Sequence, residues 1–343
     1  MLQGAGTELD PYLITSLAEL RTDVTNADAY YKVTQDLDTI GTEWEKEWEQ
    51  CTIACKQLDF NYKRLSNLLC KQGHHVFVFA ETVAAIVIKN AKFYNIENSA
   101  ALFCRMSYVG LTYGGLSLLT IINSSFLIKW AANKTAADDA SSAPYGILGF
   151  YNAFVDNCVF DLKIFGTTTY IMRSTSSVNR CHFKISGDFT LNKHRMYTTH
   201  QIQDYIFTLF VFWQNTQKIY VTGDAKITLN TSLSSADMYL FANPYNSDLS
   251  EQNQRAHFLY CYFAAKIELT APGATNYIHF TRYQTTETMP PCSFYITENI
   301  DVVDGIMLYT QDTEFSKVYA VTDTQAKDYA YLDELRFDLV EVT

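Results

Sequence analysis

Four segments of this chain share one pattern: an apolar strand, a polar residue, a small residue, one further position, and then Phe. They read IVIKNAKFYNI (Ile86 to Ile96), LTIINSSFLI (Leu119 to Ile128), AFVDNCVFDLKI (Ala153 to Ile164) and SSVNRCHFKI (Ser176 to Ile185). The Phe recurs at Phe93, Phe126, Phe160 and Phe183, in steps of 33, 34 and 23 residues. A period of roughly 20 to 50 residues marks units that bury their apolar faces only by stacking on one another. A propeller would also give short strands, but with a steadier period; unequal steps suit stacked turns of chain joined by loops of different length.

Each position has a mechanical reason. Asn90, Asn123, Asn157 and Arg180 hold the corner between two strands, where Asn tolerates the left-handed backbone and stacked amides can bond one another along the axis. The small residues Ala91, Ser124, Cys158 and Cys181 follow, as a tight corner requires. Phe93, Phe126, Phe160 and Phe183 then fill the interior as a stack, about 4.8 Å apart. The wider composition agrees: 24 Tyr and 22 Phe against 14 Gly and 6 Pro in 343 residues favour strands over turns. The expectation is an all-β chain forming one elongated body rather than a compact globule.

The chain opens GAGTELDPYLITSLAEL (Gly4 to Leu20), followed by YYKVTQDLD (Tyr30 to Asp38). Pro11 pushes Asp10 into an extended conformation, Tyr12 and Ile14 alternate as in a short strand, and Ser16 with Glu19 fits a helix capping box. Such a segment can cover the open end of a stacked fold, whose first layer would otherwise expose apolar side chains and unpaired backbone. Further on, LDFNYKRLSN (Leu58 to Asn67) reads as a strand, a corner and a strand. Near the end, VYAVTDTQAKDYAYLDELRF (Val318 to Phe337) has Thr322 or Asp323 as a helix cap, Gln325 as its capping-box partner, and Tyr329 and Leu332 on one face.

Together these segments resemble the pectin-lyase-like right-handed parallel β-helix proteins common in bacteriophage virions. The resemblance covers the N-terminal opening, the LDFNYKRLSN corner, where Phe60 and Tyr62 replace two glycines of the usual pattern, and the C-terminal segment, where Arg336 stands in place of a usual Gly. It implies a β-helix (solenoid) with an N-terminal cap over residues 1–50, a body over 51–300, and a C-terminal extension with a short helix over 301–343. It also implies a structural component of a virion: a homotrimeric fibre, spike or capsid decoration that meets other virion proteins and contacts host surface polysaccharide. The alternative is a tailspike depolymerase of lyase or glycosidase chemistry.

The formal charge of −11 speaks against a nucleic-acid binder, which needs a basic face to displace counterions. No apolar run is long enough to span a bilayer, and residues 1–30 lack a signal-peptide pattern, so the expected location is the virion after assembly in the host cytoplasm. Cys51, Cys55, Cys70, Cys104, Cys158, Cys181, Cys261 and Cys292 are scattered among apolar neighbours and read as buried thiols. The spacing of Cys51, Cys55, Cys70 and His74 would suit zinc, but alternation of Cys51, Ile53 and Cys55 along a strand explains it better, and no cofactor or metal is expected.

Candidate contact residues remain. Arg180, His182 and Lys184 alternate with buried-type residues and form a basic row on an outer face, suited to an anionic ligand or a neighbouring subunit. Asp156, Asp161, Asp188 and Asp204 are the acids available for sugar cleavage, but corner acids more often cap turns, and no catalytic residue is assigned. Trp44 and Trp48 in WEKEW cover the end of the stack in preference to gripping a sugar. In YIFTLFVFW (Tyr205 to Trp213) alternation fails, so Tyr205, Phe207, Phe210, Phe212 and Trp213 are expected at an oligomer interface, with a covering loop at residues 234 to 256 as the rival.

Overall fold

The computed structural model describes residues 2–320 except for internal stretches, the longest being 106–117, 134–146, 243–257 and 283–291. Strand β1 (Tyr12–Ile14) leads into α1 (Leu17–Thr22), the one helix among the described residues. The Ser16 hydroxyl accepts from the Glu19 N–H at 3.2 Å. The Glu19 carboxylate reaches one residue beyond the expected box, accepting from both N–H (2.6 Å) and hydroxyl (2.8 Å) of Thr15. Leu17 and Leu20, on one face of the helix, are buried. Next come β2 (Tyr30–Val33) and β3 (Leu37–Asp38), and β2 pairs in parallel with β1, Tyr12 opposite Tyr31.

From here the chain repeats one arrangement. A first run of strands comprises β4 (Cys51–Ile53), β5 (Gln57–Asp59), β6 (Arg64–Ser66), β7 (Phe77–Phe79), β8 (Ala85–Lys89), β9 (Lys92–Asn98), β10 (Phe103–Arg105), β11 (Leu118–Asn133) and β12 (Leu148–Gly149). A second comprises β13 (Asn152–Thr168), β14 (Met172–Ser174), β15 (Val178–Leu191), β16 (His194–Tyr197), β17 (Ile202–Phe212), β18 (Thr216–Leu229) and β19 (Ser235–Ala242). The last strands are β20 (Phe258–Leu259), β21 (Cys261–Phe263), β22 (Lys266–Arg282), β23 (Cys292–Ile296), β24 (Ile300–Tyr309) and β25 (Ser316–Ala320).

The fold is all-β and its strand pairing is overwhelmingly parallel. One ladder runs β1, β2, β5, β8, β11, β13, β15, β18, β21, β23, β25, each strand bonded to the next. A second runs β3, β6, β9 into the far halves of β11, β13, β15 and β18, and on to β22 and β24. A smaller sheet, β4, β7, β10 and β12, is also parallel. Backbone bonds of 2.8 Å extend it from Ile147 to Ile171 and from Ile171 to Leu209. Among the named strands, the β16–β17 hairpin is antiparallel.

The interior lies between these ladders. Phe93 to Phe126, Phe126 to Phe160 and Phe160 to Phe183 have ring centroids 5.1, 4.8 and 5.0 Å apart, and all four rings are buried. Phe77 and Phe103 of the smaller sheet meet this column at 6.1 Å from Phe93 and 6.2 Å from Phe126. Each such ring contributes on the order of 2–3 kcal/mol by leaving water, so the column ties the two sheets together along their length.

Two sequence expectations shift. Parallel pairing does not stop at residue 300: β24 pairs with β22, and β25, ending at Ala320, pairs with β23. The helix expected at Thr322 or Asp323 lies outside the described residues. In addition, Cys55 falls beyond the end of β4, and Asp59 belongs to the separate strand β5, because the chain changes sheet between Ile53 and Gln57.

Candidate functional site

The corners set the geometry of the outer surface. Asn90, Asn123, Asn157 and Arg180 have φ of 53°, 51°, 53° and 49°, the left-handed region that Asn tolerates best among residues with a side chain. The Asn157 amide donates to Asn123 Oδ1 at 2.7 Å, and Asn90 donates to Asp59 Oδ1 at 2.9 Å. A second polar column, absent from the repeat as read in the sequence, runs Asp38, Asn67 and Asn95. In the LDFNYKRLSN corner, Asn61 (50°) and Tyr62 (59°) hold left-handed φ, so of the two residues standing in place of glycine it is Tyr62 that takes the left-handed conformation.

The basic row is brought together on β15, beside acids of β13. Arg180 Nε donates to Asp156 Oδ1 at 2.8 Å and its Nη2 pairs with Asp156 Oδ2, while Lys184 Nζ lies 3.0 Å from Asp161 Oδ2. Between them His182 is largely buried, which pushes its pKa down to about 4; the Asp161 carboxylate opposes that and Lys184 adds to it. At neutral pH the imidazole is therefore uncharged, and each flanking cation has a carboxylate of its own chain. The row is close to charge balance, which removes the electrostatic reason for an anionic ligand there. The same pairs occupy two of the acids considered for sugar cleavage, Asp156 and Asp161.

What the row does offer is the first of a series of aromatic residues at one register position. His182 and Tyr220 rings stack at 5.0 Å and 29°, and His182 Nε2 lies 2.7 Å from Thr222 Oγ1. Tyr220 stands opposite Tyr262, Tyr262 opposite Tyr295, and Tyr295 opposite Tyr319. The Tyr220 neighbours Ile219 and Val221 are buried, so strand alternation places Tyr220 at an outer-face position. The same register position therefore carries tyrosine on successive strands, spanning about 14 Å at the usual strand spacing. The reading of the sequence ended its repeat at Phe183 and missed this series. Its signal was present as apolar-Tyr-apolar triplets at 219–221, 261–263, 294–296 and 318–320.

The other candidates resolve individually. Trp48 is fully buried, its Nε1 donating to Val76 O at 3.1 Å, with the Arg21 guanidinium 4.5 Å above its ring and 5.3 Å from that of Trp44. This clamp fixes α1 against the β3–β4 connection. Cys51, Cys55 and Cys70 are buried thiols whose pKa burial raises to about 12. Among the described residues no three His, Cys, Asp or Glu side chains converge as a metal site.

Phe207 and Phe210 correct the expected oligomer interface. They are 1% and 0% exposed within the single chain, and Thr208 and Leu209 between them are also buried. Phe210 packs on Phe183 at 4.9 Å, and β17 lies between β14 and β19. Alternation fails there because the chain covers both sides of the strand itself. The side chains of Tyr205 and Phe212, and all of Trp213, lie outside the described residues. Ser235–Ala242, part of the rival covering loop, is a strand paired with β17, and 243–256 is outside the description, as are the side chains of Asp204 and its neighbours.

Comparison with known protein families, with characterised proteins and with solved structures finds no match to this chain.

Proposed function

We propose that this chain is a right-handed parallel β-helix acting as a structural component of a bacteriophage virion: a homotrimeric fibre, spike or capsid decoration whose outer tyrosine column contacts host glycans. The observation that carries this reading is the ladder of parallel pairing from β1 to β25 about one aromatic interior column. A chain that returns to the same register after each circuit, in the same direction, is naturally read as a solenoid, and parallel crossovers are right-handed in about 98% of cases. Such a body resists local opening because each layer is held by two others. The opening and closing sequence motifs, which resemble those of phage proteins, supply the location and the trimer.

The tyrosine column gives the glycan contact its chemistry. Phenols offer both a hydrogen-bonding hydroxyl and an apolar ring, and repetition at strand spacing, comparable with the rise of one pyranose unit, suits an unbranched chain of neutral sugars. Charge-paired neighbours favour a neutral polymer over an acidic one. Weak contacts repeated along one body, and again across copies, add up by multivalency.

Immunogold labelling of intact phage particles with antibody to this chain tests the reading. Label over the head makes it a capsid decoration or head fibre; label at the tail tip makes it a receptor-binding fibre or spike. Particles that carry no label would sink the proposal. Sedimentation equilibrium of the purified chain checks the trimer separately.

A further inference from the structure

Cys158 and Cys181 occupy one register position on the adjacent strands β13 and β15, each directly after a left-handed corner residue. Both are free thiols and both are 0% exposed. Burial holds the Cys181 thiol well above its ordinary pKa and the neighbouring Cys158 thiol adds to that, and each Sγ faces a carbonyl of its own strand, Cys158 at 3.3 Å from Asp156 O and Cys181 at 3.1 Å from Asn179 O. Adjacent strands in register sit about 4.8 Å apart, inside the roughly 4.4–6.8 Å Cα separation of disulfides. Other cysteines on the ladders face different residues: Cys51 faces Phe77, Cys104 faces Val78 and Gly149, Cys261 faces Phe294, and Cys292 faces Ser316.

We propose that Cys158 and Cys181 form a redox staple between neighbouring layers, a dithiol while the chain folds in a reducing cytoplasm and a disulfide once a small peroxide reaches it outside. A small oxidant such as hydrogen peroxide is required because both thiols lie in the interior with no surface open to solvent, out of reach of glutathione. One sulfur attacks a peroxide oxygen, giving a sulfenic acid, and the thiol proton leaves with the released hydroxide as water. The second sulfur then displaces the hydroxyl from the sulfenic sulfur, forming the S–S bond. In sum two thiols and one hydrogen peroxide give one disulfide and two waters, each sulfur oxidised by one electron and the peroxide reduced by two. The bond closes a loop containing one complete circuit of the chain, which restricts the unfolded state and adds to stability. Only the change of compartment rests on the virion reading; the chemistry of the pair does not.

The test uses the full-length chain purified under reductant, exposed to hydrogen peroxide, then denatured and alkylated for thiol counting and peptide mapping. The expected result is a fall from eight free thiols to six, one cross-linked peptide pair containing Cys158 and Cys181, reversal by dithiothreitol, and a raised unfolding midpoint. Cys158→Ser places in this column the residue that Ser124 already supplies one layer earlier, and should keep all its remaining thiols under the same treatment. Retention of all eight thiols in the natural chain, a disulfide at other positions, or the same loss of two thiols in Cys158→Ser would overturn the proposal. None of these outcomes depends on where the protein sits on a particle.

Discussion

Tyr62 shows how a single residue can carry a local cost without disturbing the fold around it. It holds φ of 59° where the sequence pattern would place glycine, and it is 50% exposed. Relief of the left-handed penalty should outweigh the extra unfolded-state entropy of glycine, so Tyr62→Gly is expected to stabilise the chain by about 0.5 kcal/mol, read as a higher urea midpoint at unchanged slope. His182 works in the opposite sense. Its folded pKa of about 4 lies below the ordinary 6.5, so between those values the unfolded chain binds a proton that the folded chain refuses. Stability contributed by the neutral imidazole is complete above pH 6.5 and is lost as pH falls through that window, by on the order of 3 kcal/mol. His182→Gln should flatten the difference between urea midpoints at pH 7 and pH 4.5; an unchanged difference would place the acid sensitivity elsewhere. Both residues were visible in the sequence, Tyr62 as a departure from a glycine pattern and His182 as part of an outer row. The neutrality of His182 was not visible, because it depends on burial that outweighs the opposing Asp161 carboxylate of the preceding layer.

At the scale of elements, the column of Phe93, Phe126, Phe160 and Phe183 follows directly from the repeat, since a constant offset from a corner residue fixes where each ring lands. Phe160 sits between two stacked neighbours, at 4.8 and 5.0 Å, and Phe160→Ala should cost about 4 kcal/mol through lost burial and the cavity left behind. Equilibrium denaturation measures this directly, and a loss below about 1 kcal/mol would mean the interior collapses around the gap. The later layers were harder to read. Val221 replaces Phe in the layer after Phe183, and the small sheet β4, β7, β10 and β12 is made of strands of two or three residues, too short to show any period. β17 misled for a different reason: consecutive apolar residues look the same whether a partner subunit or the chain's own next layer covers them.

For the molecule as a whole, the N-terminal segment matters because it closes an edge. β1 bonds to β2, and Leu17 and Leu20 cover the first apolar layer. Deletion of residues 1–29 leaves β2 as an open parallel edge, and such edges template further pairing. The shortened chain is expected to self-associate into species larger than those of the intact chain, seen by size exclusion with light scattering; an unchanged profile would show that β2 needs no cover. The cap was legible because its turn residues, helix start and strand sit close together in sequence. The parallel pairing beyond residue 300 was not, because β24 and β25 carry no corner asparagine to announce them.

The interior column keeps its alignment across steps of 33, 34, 23, 38 and 42 residues, from Phe93 through Phe126, Phe160, Phe183 and Val221 to Phe263. The frame is thus indifferent to how much chain separates one layer from the next. Segments between layers can lengthen, shorten or change composition while the scaffold keeps its shape, so a lineage carrying this architecture can alter what it shows to the outside without redesigning what holds it up.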